Sequence, residues 1–291
     1  MMFNTGKELL NLCSQSNKKI SDIVMEKDVL TTGLSQEEVK SKMVETLEVM
    51  KSSASAGLNE EIISISGLTG GNAKRMEDYR KNHEPISGIF INSAMAKAFS
   101  TSEVNASMGK ICASPTAGAS GILPAAILAA KEKLDLDDDK LLAGLFNAAG
   151  IGQIVSKNAT VSGAEGGCQA ECGVAAAMAA SAIVEMAGGS PEQSLDAAGF
   201  ALTNIMGLVC DPIGGLVEYP CALRNASGVI NGLISADMAL ANVEALVPFD
   251  EVVDALYEVG KALPESLRET ALGGLAATDT AKELNKKIGM E

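Results

Sequence analysis

A chain of 291 residues that is 47% hydrophobic but only 3% aromatic, with no Trp, must build its core from Ala, Leu, Ile, Val and Met; that composition suits closely packed helices, in one large domain or two small ones. The formal charge of -14 excludes nucleic acid, whose phosphates it would repel, and an anionic membrane surface. Six cysteines follow no secretion signal, the opening being broken by Asn4, Lys7 and Glu8, so they read as reduced thiols or metal ligands of a cytoplasmic protein.

In chain order, residues 1–60 read as a small N-terminal helical lobe. Leu9, Leu10, Ile20, Ile23 and Val24 recur at helical spacing, and Gly33 is a stop. Ser35-Gln-Glu-Glu38 is a capping box, followed by Val39, Met43, Leu47 and Met50 on one face, with Gly57 as the expected end. Residues 61–291 form the larger unit, or continue the first as one domain. Ile62 to Ser66 allows a short extended piece, and no longer β-alternation occurs. Gly67-Leu-Thr-Gly-Gly71 lacks the Lys-Ser/Thr of a phosphate loop and reads as a connection. His83, the only histidine, lies in the polar stretch Arg80 to Pro85 and reads as solvated surface. A single histidine removes most zinc enzymes and a Ser-His-Asp triad with spare ligands.

Ile111-Cys-Ala-Ser-Pro-Thr-Ala-Gly-Ala-Ser-Gly121 can turn hydroxyls and backbone N–H groups toward an anion. The apolar helix Ile122 to Leu134 follows it and favours a carboxylate at its N-terminus, although an ordinary cap and turn fits the spacing as well. Asp135 to Lys140 is a charged turn. A helix from Leu141 to Ala149 is expected to break at Gly150–Gly152, ahead of Ser156-Lys-Asn-Ala-Thr-Val-Ser162. The most apolar run, Gly173 to Ala187, contains Glu185 and is too short to span a bilayer. Gly188-Gly-Ser-Pro-Glu-Gln193 stops one helix and caps the next. Pro220 starts a helix to about Leu246, which puts Cys221 in its first turn, where the dipole favours thiolate. Phe249 to Leu263 is a further amphipathic helix, and a small, flexible tail, Gly273 to Thr280, precedes a final charged one.

Four cysteines fall between Ser162 and Asn225, spaced Cys168-x3-Cys172 and Cys210-x10-Cys221 beside Gly, Pro and acidic residues. Neither spacing is the C-x2-C of zinc ribbons or bacterial ferredoxins, so inert thiols and metal ligands both stay open. A cluster held by three thiolates leaves one iron able to act as a Lewis acid on a substrate hydroxyl. Ser114–Thr116, Asn158 and Ser162 can supply donors for the carboxylate of such a substrate; a base for its α-proton is poorly provided in a chain with one histidine.

Ala113-Ser-Pro-Thr-Ala-Gly118, Ser162-Gly-Ala-Glu-Gly-Gly-Cys-Gln-Ala-Glu171 and Cys210-Asp-Pro-Ile-Gly-Gly-Leu-Val-Glu-Tyr-Pro-Cys-Ala-Leu-Arg-Asn225, in that order, resemble the iron–sulfur-dependent L-serine dehydratases. The chain is similar to the alpha chain of their two-subunit form from its N-terminal helices to Gly273-Gly-Leu-Ala-Ala277. The resemblance implies an all-α fold, a compact bundle of Ala- and Gly-rich helices whose loops hold a [4Fe–4S] cluster. It implies conversion of L-serine to pyruvate and ammonia. By position it implies Cys168, Cys210 and Cys221 as the cluster ligands. Cys172, apolar in relatives, becomes a packing thiol, and Cys13 and Cys112 fall outside the ligand positions. Ser114, Thr116, Asn158 and Ser162 are expected to orient the substrate. Arg224 is expected either to hold its carboxylate or to form a structural ion pair, and Glu165 either to stand near the cluster or to lie at the surface. Single-chain relatives end in a cysteine that caps the fourth iron, whereas this chain ends Ile288-Gly-Met-Glu291, which leaves that iron to water, substrate or another ligand. The resemblance also implies a separate regulatory β chain that supplies catalytic histidines, and an oligomer is expected. Two rivals are a pyridoxal-phosphate dehydratase and a non-catalytic helical partner subunit. The first would use Gly163–Gly167 as phosphate cup and Lys157 as Schiff base, and it requires an α/β fold.

Overall fold

The computed structural model describes residues 2–290, and its elements are helical, with no strand among the described residues. The expected all-α fold is the observed one. Helices α1 (Gly6–Ser16) and α2 (Ile20–Thr32) end at left-handed Asn17 and Gly33, and α3 (Gln36–Asn59) opens with the reciprocal Ser35–Glu38 box. Gly57 does not end α3. A Cβ there would lie 3.1 Å from Ala73 Cβ and from Glu103 Oε2, so the glycine admits α4 (Asn72–Asn82) and α5 (Gly88–Ala106) to close range. The extended piece is a single antiparallel bridge between Ile63 and Gly70.

Helix α6 (Ile122–Leu134) has the expected bounds. The break at Gly150–Gly152 does not occur: α7 runs unbroken from Asp138 to Asn158. A Cβ on Gly150 would lie 2.5 Å from Val24 Cγ2, and one on Gly152 3.1 Å from Met178 Sδ. Those glycines are contact points for α2 and for α9, not stops. After a single turn, α8 (Gly163–Gly166), a π-helical turn at Gln169–Gly173 runs straight into α9 (Val174–Met186).

Every residue of α9 is buried, and α6, α7, α10 (Pro191–Thr203) and α11 (Cys221–Leu240) pack around it. Alanine and glycine on these faces let backbones approach at crystal-like density, which replaces the missing aromatic volume. Helix α11 stops at Leu240 rather than near Leu246, where the Gln193 amide donates to Ala239 O and Asn242 Oδ1, and Asn242 turns left-handed. Helices α12 (Phe249–Ala262) and α13 (Asp279–Lys287) complete the chain. The tail between them is tied down rather than free: Leu275 N donates to the buried Asp211 Oδ2 at 2.7 Å and Ala276 is buried. Phe3, Leu9, Ile20, Val24 and Leu47 belong to the same contiguous core as the alanines of α9. Among the described residues no helix is long and apolar enough to cross a membrane.

Candidate metal centre

Backbone and side-chain hydrogen bonds bring the three sequence motifs to one place. Gly167, at φ 76°, precedes Cys168, and a Cβ on it would sit 2.8 Å from Leu208 O, so only glycine lets this turn lie against the chain leading to Cys210. The buried Gln169 fixes that contact. Its backbone N–H donates to Leu208 O at 3.0 Å, its side-chain oxygen accepts from Gly207 N at 2.8 Å, and its amide donates to Leu256 O at 3.0 Å. Cys210 is pinned from the other side, donating to Leu267 O at 2.8 Å and accepting from Glu269 N at 2.7 Å. Cys221 opens α11 after Pro220. One turn on, the Asn225 amide donates to Gly118 O at 2.7 Å and to Cys221 O at 2.8 Å while its oxygen accepts from Gly121 N at 2.8 Å. This side chain therefore docks the Ser114–Gly121 loop on α11. It also occupies the N–H at the head of α6 that the sequence suggested for a carboxylate.

The result is a gathering of thiols. Cys168, Cys172 and Cys210 are buried and Cys221 is half-buried, and all are free thiols. Cys168 Sγ and Cys172 Sγ are 3.4 Å apart. Hydrogen bonds from Cys172 and Cys210, with help from Arg224, hold the Cys168 thiol well below its ordinary value, and the shared proton pushes Cys172 and Cys210 up. Burial, then the charge of Cys168 and Glu171, pushes Cys221 up to about 12. A gathering of sulfur donors beside one guanidinium is a poor arrangement for protonated thiols and a good one for iron, which takes the ligands as thiolates. The residues present fit a cluster. Because Cys172 lies with the others, geometry alone does not separate it from the three expected ligands.

The other sequence-predicted residues scatter in role. Thr116 reaches the centre, its hydroxyl donating to Glu171 Oε1 at 2.7 Å. Ser114 is buried and Ser162 half-buried, and neither hydroxyl bonds any group among the described residues. Asn158 is exposed, its amide donating to Asn4 O at 2.7 Å and Ile154 O at 2.8 Å, a tether for the N-terminal segment. Arg224 forms the ion pair: it donates to Asp211 Oδ1 at 2.7 Å and Val209 O at 2.9 Å, and contacts Cys168. Glu165 is exposed and accepts from Thr160. Lys157 is exposed and bonds Asn4 Oδ1, which with the strandless fold removes the pyridoxal-phosphate reading. His83 is exposed, stacked on Tyr79.

Two carboxylates at the centre escaped the sequence reading. Glu171 Oε2 lies 3.8 Å from Cys210 Sγ, and burial above all pushes this acid up to about 7. Glu269 joins Glu171 and Cys210, one ligand atom from each lying within 4.8 Å of the others. Glu171 sits inside the first cysteine motif and was legible there. Glu269 is brought in by the backbone bridge to Cys210, which no local pattern announces.

The family described as serine dehydratase alpha chain matches residues 15–276. A protein named L-serine dehydratase, alpha chain, from Peptoniphilus asaccharolyticus is 52% identical over 98% of each chain. A Bacillus subtilis protein named probable L-serine dehydratase, alpha chain, is 48% identical over 99% of this chain and 95% of its own. A longer Helicobacter pylori protein named L-serine dehydratase is 35% identical across 95% of this chain, which spans 62% of that protein.

Proposed function

This chain belongs to the serine dehydratase alpha-chain family, and we propose that it is the catalytic alpha chain of a two-chain, iron–sulfur-dependent L-serine dehydratase. The observation that supports this best is the gathering of Cys168, Cys210 and Cys221 beside a loop that presents unengaged hydroxyls. Those three thiolates would hold a [4Fe–4S] cluster, which when bound supplies a Lewis-acidic iron for the β-hydroxyl of L-serine. Ser114 and Ser162 are free to donate to the substrate carboxylate. Thr116, already donating to Glu171, keeps lone pairs that accept from the substrate, and Asn158 keeps its side-chain oxygen. Arg224 stays with Asp211 and Cys168, where its charge balances thiolate rather than substrate.

In the net reaction the β-hydroxyl and the α-proton leave as water, and the enamine left behind takes water back to release pyruvate and ammonia. The base for the α-proton comes from a separate β chain in this reading. The names of the near-full-length relatives support it, as does the further length of the Helicobacter protein. Thiolates that must stay reduced support a cytoplasmic enzyme in this reading.

Iron and sulfide analysis after anaerobic purification tests the proposal. About four of each per chain are expected for such a cluster. A full-length, folded chain that takes up neither would sink it and would favour the non-catalytic partner subunit.

A further inference from the structure

Three cluster thiolates leave one iron without a cysteine, and the chain offers that iron an oxygen donor. The segment at Leu267–Glu269 runs against Cys210 as a short parallel bridge, donating Glu269 N to Cys210 O at 2.7 Å and accepting Cys210 N at Leu267 O at 2.8 Å. Glu269 takes a left-handed φ of 62°, rarely adopted by a residue with a side chain. Its carboxylate lies with Cys210 Sγ and the Glu171 carboxylate in a group of ligand atoms within 4.8 Å of one another. Both carboxylates crowd Gly163, where a Cβ would sit 2.5 Å from Glu171 Oε2 and 3.0 Å from Glu269 Oε2. Neither forms an ion pair with Lys or Arg among the described residues, the nearby Arg224 being engaged by Asp211 and Cys168, so the two carboxylates and the thiol form a donor set that a bound cation would stabilise.

The two acids are not equivalent. Glu171 is committed, one oxygen accepting from Thr116 at 2.7 Å and the other 3.8 Å from Cys210 Sγ. Glu269 accepts no hydrogen bond among the described residues and rides on a separate segment, held to the centre through its backbone alone.

Building on the cluster assignment of the preceding subsection, we propose that Glu269 is the oxygen ligand of the iron that Cys168, Cys210 and Cys221 leave open, bound in the resting enzyme and released when the substrate hydroxyl arrives. A carboxylate suits that exchange: it is a harder, weaker partner than thiolate for iron in a sulfur environment, and it carries the charge the site lacks a cation to balance. Glu171 keeps the hydroxyl loop in place through Thr116 and does not exchange.

Mössbauer spectra of the anaerobically loaded full chain test this without recourse to turnover. In the wild type one iron is expected to differ from the other three, and that signal to shift on adding L-serine. Glu269→Gln should keep the iron content, change the signal of that single iron and lose it faster in air. Glu269→Cys should make the four irons alike and abolish the serine-induced shift. Glu171→Gln should leave the resting signal as in the wild type. A single-iron signal and air sensitivity unchanged in Glu269→Gln would overturn the proposal, even if the KM for serine rose, because Glu269 would then be serving the substrate's ammonium group. Four equivalent irons in the wild type would overturn it too, in favour of Cys172 as fourth ligand. A wild-type chain with no cluster would instead overturn the preceding functional reading.

Discussion

Single side chains at the centre differ in what surrounds them, and that sorts their expected effects. Cys168 stands on a glycine turn against Leu208, Cys210 is held by two backbone hydrogen bonds, and Cys221 opens a helix; each is presented by constrained backbone, as a preorganised ligand should be. Cys172 lies on the π turn, 1% exposed. Cys168→Ser, Cys210→Ser and Cys221→Ser are each expected to lose the four-iron cluster and the activity. Cys172→Ala should retain wild-type iron, as should Cys13→Ser, whose thiol burial pushes up to about 12 and away from thiolate chemistry. Cys112→Ser should affect substrate binding at most. Iron per chain across the six variants decides it: loss in Cys172→Ala with retention in Cys168→Ser would reverse the assignment. The cysteine motifs were legible because Gly, Pro and acid side by side mark special backbone. Glu269 was not, since its position depends on a pairing between segments 59 residues apart in number (Cys210 with Glu269).

Among the elements, α7 and α5 carry the clearest consequences. Glycine in a helix costs about 1 kcal/mol relative to alanine, which argues for a break at Gly150. Contact with Val24 outweighs it, since a Cβ there would lie 2.5 Å from Val24 Cγ2 in a fully buried site and overpacking costs about 1–3 kcal/mol. Gly150→Ala should therefore lower stability in chemical denaturation despite its better helix propensity, and Val24→Ala should be partly compensated in the double variant; simple additivity of the two losses would refute this. In α5, Glu103 is 2% exposed and caps α4, its Oε1 accepting from Asn72 N and Ala73 N. Burial raises its pKa from 4.5 to about 7. A carboxyl whose folded pKa is raised contributes stability that is fully present below 4.5 and is lost as pH rises through about 7, a difference of about 3 kcal/mol. Unfolding titrations of wild type and Glu103→Gln should show wild type losing stability relative to the variant over that window. Parallel curves would mean that the group does not titrate there.

On the scale of the whole molecule, the chain gathers its thiols and hydroxyls at one centre but leaves its one histidine stacked on Tyr79 at the surface. The Helicobacter relative carries this chain's equivalent in 62% of its length. Cluster-loaded alpha chain alone is therefore expected to show little serine dehydration, with activity restored by adding the β chain. Pyruvate release measured with each chain alone and with both is the check, and robust turnover by the alpha chain alone would contradict it.

The sequence by itself determined the helical class, the capped starts of α3 and α10, the bounds of α6 and α12, and the three motifs with their cysteines, because composition, capping boxes and special-backbone residues are local signals. It misjudged Gly57, Gly150 and Gly152, because the same residue that ends a helix also admits a neighbour, and only the packed partners, Ala73, Val24 and Met178, distinguish the two. The tertiary structure alone decided that Cys172 joins the thiol group, that Asn158 tethers Asn4, that Arg224 pairs with Asp211, and that Glu269 stands at Cys210. Each depends on distances between residues remote in sequence, and such distances are set by how the α9 core brings the surrounding segments together.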